Sequence, residues 1–197
     1  MTDTEVFMID SVLVRHNVSL RLKITVKTLV SLAIVALAVL LPQLVHLAAG
    51  AQGGMQWLPM YLPVLLGGCL LGWQWGLGVG ILSPVVSFAL TTLTGNPMPV
   101  ALRLPYMMAE IAVFAAVSGL FSGKIAENGW MAFPAVLLAQ VSGRVAFLVI
   151  AAIFQGVSPL SAATVWTQIQ TGLLGMVAQA VVVPFIVMGL RRLLMKD

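Results

Sequence analysis

Charge is scarce in this chain. Of its 197 residues only 8% are Asp, Glu, Lys or Arg, against roughly a quarter in ordinary soluble domains. Hydrophobic residues make up 60%, and the mean hydropathy is +1.07. So little charge excludes an ordinary soluble domain, and an integral membrane protein is expected in its place. Cysteine is nearly absent too. The single one, Cys69, lies inside an apolar run, so neither an internal disulfide nor a cysteine metal cluster can form. With two histidines in the whole chain, His46 and Glu110 together fall short of a closed coordination shell, and no metal and no cofactor is expected.

Catalytic signatures are missing as well. No serine-hydrolase elbow, HExxH pair, Walker lysine loop or dinucleotide glycine fingerprint occurs in a suitable context. An enzyme is therefore not expected, and uptake driven by ATP would need its ATPase on another chain. Eight of the ten Lys and Arg stand at the ends of apolar runs, with no basic patch interleaved with aromatics, which argues against a nucleic-acid partner. The polar, mixed start of the chain lacks a clear small-residue cleavage site and is expected to stay attached.

What the chain does have is apolar length. A spanning helix takes about 20 residues, and six such runs are predicted, at about 24–49, 57–71, 76–93, 100–122, 130–154 and 164–190. The expectation is an all-α compact bundle of six transmembrane helices over residues 23–197, preceded by an amphipathic or irregular segment, 1–22, at the interface. A glycine-rich connector is predicted at 50–56, and the third run is expected to end in the loop TGNPMP. With both termini in the cytoplasm, eight of the ten bases fall inside: Arg15, Arg21, Lys23, Lys27, Lys124, Arg191, Arg192 and Lys196. The outer connectors then hold none, a strong positive-inside pattern. The tryptophans fall at or near run ends, as an interfacial belt would place them.

The remaining ionisable and amide groups mark the candidate site. Glu110 lies about ten residues, or ~15 Å, inside the fourth run. An acid in hydrocarbon is costly unless it faces the protein interior, a partner or a water-filled cavity. Arg144 sits at comparable depth in the fifth run, so the two could meet, either as a structural pair or against a ligand. Gln140 lies one turn before Arg144. Gln168, Thr171, Gly175 and Gln179 form a stripe on one face of the sixth run. Arg103 stands near the outer mouth, where it could attract an anionic ligand or snorkel to headgroups. Small residues at Gly68, Gly72, Gly76 and Gly80 allow close helix packing or a partner's approach.

Three stretches carry a family resemblance: LPQLVHLAAG (41–50), LPMYLPVLLGGCLLGWQWGLGVGILSPVVSFALTTLTGNPMP (58–99) and LPYMMAEIAVFAAVSGLFSGK (104–124). Together they resemble the substrate-binding membrane subunit, or S component, of energy-coupling factor (ECF) vitamin transporters. The likeness is best from the second run through the fourth, and the last two runs match in layout only.

The resemblance implies a six-helix subunit in a prokaryotic plasma membrane that captures a water-soluble vitamin or related micronutrient outside. It would deliver that cargo with a transmembrane coupling subunit and two ATPase subunits. It further implies a ligand among the outer halves of the last three helices, where Glu110, Gln140, Arg144, Gln168 and Asn96 lie, with His46 and Arg103 nearby. The family often carries an Ala-x-x-x-Ala surface on the first helix, and here Leu37 falls where the second alanine would stand. Docking is therefore expected at Ala33 and Ala36, or at Gly68 and Gly72. The alternative function is a self-sufficient ion-coupled carrier with Glu110 as its proton site.

Overall fold

The computed structural model describes residues 7–15, 19–95, 97–154 and 161–195. Among these residues the protein is helical and contains no strand. Its helices are α1 (Met8–Arg15), α2 (Leu20–Trp57), α3 (Tyr61–Leu71), α4 (Trp73–Leu93), α5 (Leu104–Leu120), α6 (Ser122–Glu127), α7 (Ala132–Phe154), α8 (Ala162–Thr171) and α9 (Leu173–Leu194). Short 3-10 turns, Ala101–Arg103 and Gly129–Met131, lead into α5 and α7. Six segments are long and apolar enough to cross a membrane: Leu20–Gly50, Gln52–Leu71, Trp73–Leu93, Ala101–Leu120, Gly129–Phe154 and Leu173–Leu194.

α5 is the central helix and packs against α3, α4 and α7. Its small residues allow this. A Cβ on Gly68 would strike Ser118 Oγ and the Ala115 carbonyl oxygen, and one on Gly80 would lie 2.9 Å from the Ile111 carbonyl oxygen. At such contacts only glycine lets the backbones approach, which is how small residues hold membrane helices together where no hydrophobic force acts between them. The core they enclose includes Leu65, Val79, Ile111, Phe114 and Val136. Large apolar side chains such as Leu29, Leu32, Leu40, Val141 and Val177 point outward, as a surface meeting hydrocarbon requires.

Three boundaries differ from the sequence reading. Residues 52–57 are helical, and the break predicted across 50–56 is confined to Gly50, whose φ of 65° and ψ of −172° are accessible to glycine alone. The chain folds back there, so that a Cβ on Gly54 would strike the His46 ring. The run expected at 164–190 is two helices, α8 and α9, divided at Gly172. The N-terminal segment also does more than rest at an interface. Met8 and Ile9 of α1 are buried, the Met8 amide donates to Ser122 Oγ at 3.1 Å, and Lys27 Nζ meets Asp10 Oδ2 at 2.7 Å.

These contacts gather α1, the start of α2, α6 and the end of α9 at one end of the bundle. Arg191 completes the set by donating from Nε to the Ala126 carbonyl at 2.9 Å and from Nη2 to the Glu127 carbonyl at 2.8 Å. The opposite end is hollow.

Candidate ligand cavity

A partly open cavity of about 900 Å³ lies at that hollow end. The end of α2 contributes Pro42, His46, Gln52 and Met55 to its wall, and the α2–α3 turn contributes Leu58, Pro59 and Met60. Ser87 of α4, the segment Pro97–Val100, and Arg103 and Met107 close one side. Phe147 of α7 and one face of α8, with Thr164, Thr167, Gln168 and Thr171, close the other. Tyr61, Glu110 and Arg144 line it from within the bundle. The volume falls in the range of pockets that take small organic ligands, and so does the mix of apolar walls with a few placed polar groups.

Three helices bring the polar side chains of the inner wall together. Tyr61 is the first residue of α3, Glu110 lies six residues into α5, or ~9 Å along its axis, and Arg144 is midway along α7. Arg144 Nη1 donates to Glu110 Oε1 at 2.7 Å, and Tyr61 Oη donates to Glu110 Oε2 at 2.6 Å. The guanidinium also lies 5.2 Å from the Tyr61 ring centroid and 6.0 Å from that of Phe114, while the two rings meet edge to face at 5.0 Å. Glu110 is 1% exposed and Arg144 6%. Each would be prohibitively costly alone in such surroundings, and together they form a desolvated pair whose geometry is fixed by aromatic packing.

Arg144 keeps one donor group in reserve. Its Nε contacts Met176 Sδ at 3.3 Å, whereas its Nη2 is buried with no partner among the described residues. Gln168 Nε2, on α8, is likewise buried and unpartnered. Both residues border the same cavity. The threonine hydroxyls nearby have donated elsewhere: Thr167 Oγ1 to the Ala163 carbonyl at 3.1 Å and Thr171 Oγ1 to the Thr167 carbonyl at 2.9 Å. His46 Nδ1 lies 2.9 Å from the Pro42 carbonyl, a contact that calls for a proton on that nitrogen and leaves Nε2 as an acceptor.

Of the residues singled out from the sequence, Glu110, Arg144, Gln168, His46 and Arg103 border the cavity. Gln140 is not among its lining residues. It faces α9 and donates from Nε2 to the Met176 carbonyl at 3.0 Å. Asn96 lies outside the described residues. The expected stripe of the last run divides with its helix. Gln168 and Thr171 face the cavity, while Gln179 on α9 donates to the carbonyls of Trp57 and Leu58 at 3.0 and 2.9 Å and helps satisfy the end of α2. Ala33 and Ala36 are exposed on the outer face of α2. Gly68 and Gly72 are buried, one against α5 and the other beneath Phe7, so neither offers a docking surface for a partner.

Tyr61 was not anticipated. A signal existed: the chain has two tyrosines, and a phenol carried into an apolar run needs a hydrogen-bond partner. Comparison of the chain with family models, with curated proteins and with solved structures finds no match.

Proposed function

We propose that this chain is a substrate-capture subunit that binds a water-soluble vitamin or related micronutrient in the cavity and hands it to an ATP-driven importer of the energy-coupling factor type. The observation that carries the reading is the cavity itself, partly open, largely apolar, and bordered by buried polar groups of which Arg144 Nη2 and Gln168 Nε2 lack partners among the described residues. Membrane proteins rarely leave such groups in hydrocarbon without a use for them.

Orientation follows from charge. Arg21, Lys23, Lys27, Lys124, Arg191 and Arg192 belong to the elements at the end away from the cavity. By the positive-inside bias we assign that end, with both termini, to the cytoplasm, an assignment in which the cavity opens to the exterior of a prokaryotic plasma membrane. Capture from outside is then the natural first step.

The energy for release inside is assigned to partners, a transmembrane coupling subunit and two ATPases, because the sequence carries no nucleotide-binding loop. Their contact is assigned to the outer face of α2 around Ala33 and Ala36. Self-sufficient ion-coupled carriage is the weaker reading, since a proton on Glu110 would have to compete with one of two short hydrogen bonds and weaken the pairing with Arg144 at each cycle.

The test is mass spectrometry of small molecules retained after gentle purification, with co-purification of partner chains from the native membrane. One retained organic compound together with an associated ATPase supports the proposal. Uptake by the isolated chain in vesicles without ATP would replace it with the carrier reading.

A further inference from the structure

We infer that the ligand meets Arg144 and Gln168 through uncharged hydrogen-bond acceptors, carbonyl oxygens or heterocyclic ring nitrogens, and not through a carboxylate or a phosphate. The inference rests on the capture reading and names the chemistry that the cavity selects. It starts from the Glu110–Arg144 pair. Both carboxylate oxygens receive a donor at short range, one from Arg144 and one from Tyr61. This is how an ionised carboxylate is held. The charge of Arg144 is thereby neutralised within the protein.

A second anion brought to Arg144 would therefore meet no free positive charge. It would sit beside an existing carboxylate in a desolvated wall, where like charges repel strongly. What Arg144 still offers is a direction, the unpartnered Nη2, and a guanidinium nitrogen can only donate. Gln168 offers a second unpartnered nitrogen on the same cavity. An internally neutral pair with one free donor, and a second donor on Gln168 elsewhere on the wall, match neutral acceptors such as those of an amide, a lactam or a nitrogen heterocycle.

The rest of the wall fits such a molecule. Met55, Met60, Met107 and Phe147 line the cavity, and thioethers and a phenyl ring give a ring-shaped body polarisable, adaptable contacts. On the α8 side the hydroxyls of Thr167 and Thr171 have already donated to backbone carbonyls, so what they have left to offer a ligand is acceptor capacity. Acceptor atoms toward Arg144 and Gln168 and donor atoms toward the hydroxyls of Thr167 and Thr171 and toward His46 define the preferred pose.

The experiment exposes the purified full chain in detergent to a small-molecule extract of bacterial cells, washes it, and identifies what remains bound by mass spectrometry. Wild type is compared with Gln168→Leu and with Glu127→Gln, an exposed position at the other end of the bundle. Among the described residues Gln168 has no hydrogen-bond partner for its amide nitrogen to lose, so the leucine variant is expected to fold, and an unchanged Tm confirms it.

The expected result is an uncharged compound bearing a carbonyl or ring-nitrogen acceptor. Its affinity should fall by roughly tenfold or more in Gln168→Leu and stay within about threefold of wild type in Glu127→Gln. A retained carboxylate or phosphate, or full retention by Gln168→Leu, overturns the inference and leaves the capture reading standing. A wild-type chain that retains no compound removes the capture reading and this one with it.

Discussion

Tyr61 Oη lies 2.6 Å from Glu110 Oε2, joining the first residue of α3 to an acid six residues into α5. The contact fixes the carboxylate on the side opposite Arg144. It also makes the pair a three-helix junction, since Arg144 arrives from α7. Because a hydrogen bond to a charged group is worth about 1.5–3 kcal/mol, Tyr61→Phe is expected to lower the Tm while leaving the apolar packing of the ring on Phe114 intact. A Tm equal to wild type would mean that the phenol contributes nothing to holding the acid.

The ion pair itself separates structural from binding roles. Removing one partner of a buried pair leaves an uncompensated charge at a cost of about 3–5 kcal/mol, so Arg144→Met should destabilise sharply. Glu110→Gln should do so less, because the amide can still accept. Each is also expected to weaken retained-ligand binding by more than roughly tenfold, about 1.4 kcal/mol. The double variant Glu110→Leu with Arg144→Leu should regain much of the lost stability without regaining binding. Recovery of both in that variant would assign the pair to neither role.

Gly143 governs how closely α7 approaches α5. A Cβ there would sit 2.9 Å from Phe114 Cδ2 and 3.2 Å from the Glu110 carbonyl oxygen. Gly143→Leu should push the helices apart, cost about 1–3 kcal/mol or more as overpacking does, and move Arg144 off Glu110. Thermal unfolding and ligand retention are expected to fall together, whereas Gly78→Leu, where no neighbour lies within 4 Å, should leave both nearly unchanged.

Gln179 offers a check on the cavity's rim. Its Nε2 serves the carbonyls of Trp57 and Leu58 at the end of α2. Leaving buried acceptors unsatisfied costs about 1–3 kcal/mol each. Gln179→Leu should therefore loosen the α2–α3 turn that carries Leu58, Pro59 and Met60, seen as faster amide hydrogen exchange there than in α4. Unaltered exchange at the turn would show that water can replace the glutamine.

The sequence went furthest where one principle acts alone. A lack of charge and six long apolar runs decide for a membrane bundle, because hydrocarbon tolerates few other backbones than helices. The cost of burying Glu110 and Arg144 marks both residues from the sequence alone. Helical periodicity failed where the helix stopped: Gln168 and Gln179 share a stripe only if the helix runs unbroken, and the break at Gly172 sends one to the cavity and the other to the end of α2. Gly68 and Gly72 read equally well as inner or outer faces in one dimension, and packing against Ser118 and Phe7 places both inside.

By itself, then, the chain determined its solvent, its helical class and the rarity of its charged groups, all properties of composition and local periodicity. Only the tertiary structure decided which polar groups satisfy one another and which are left over. Tyr61, Glu110 and Arg144 are far apart in sequence, and a hydrogen bond's short reach makes their meeting depend on how three helices pack.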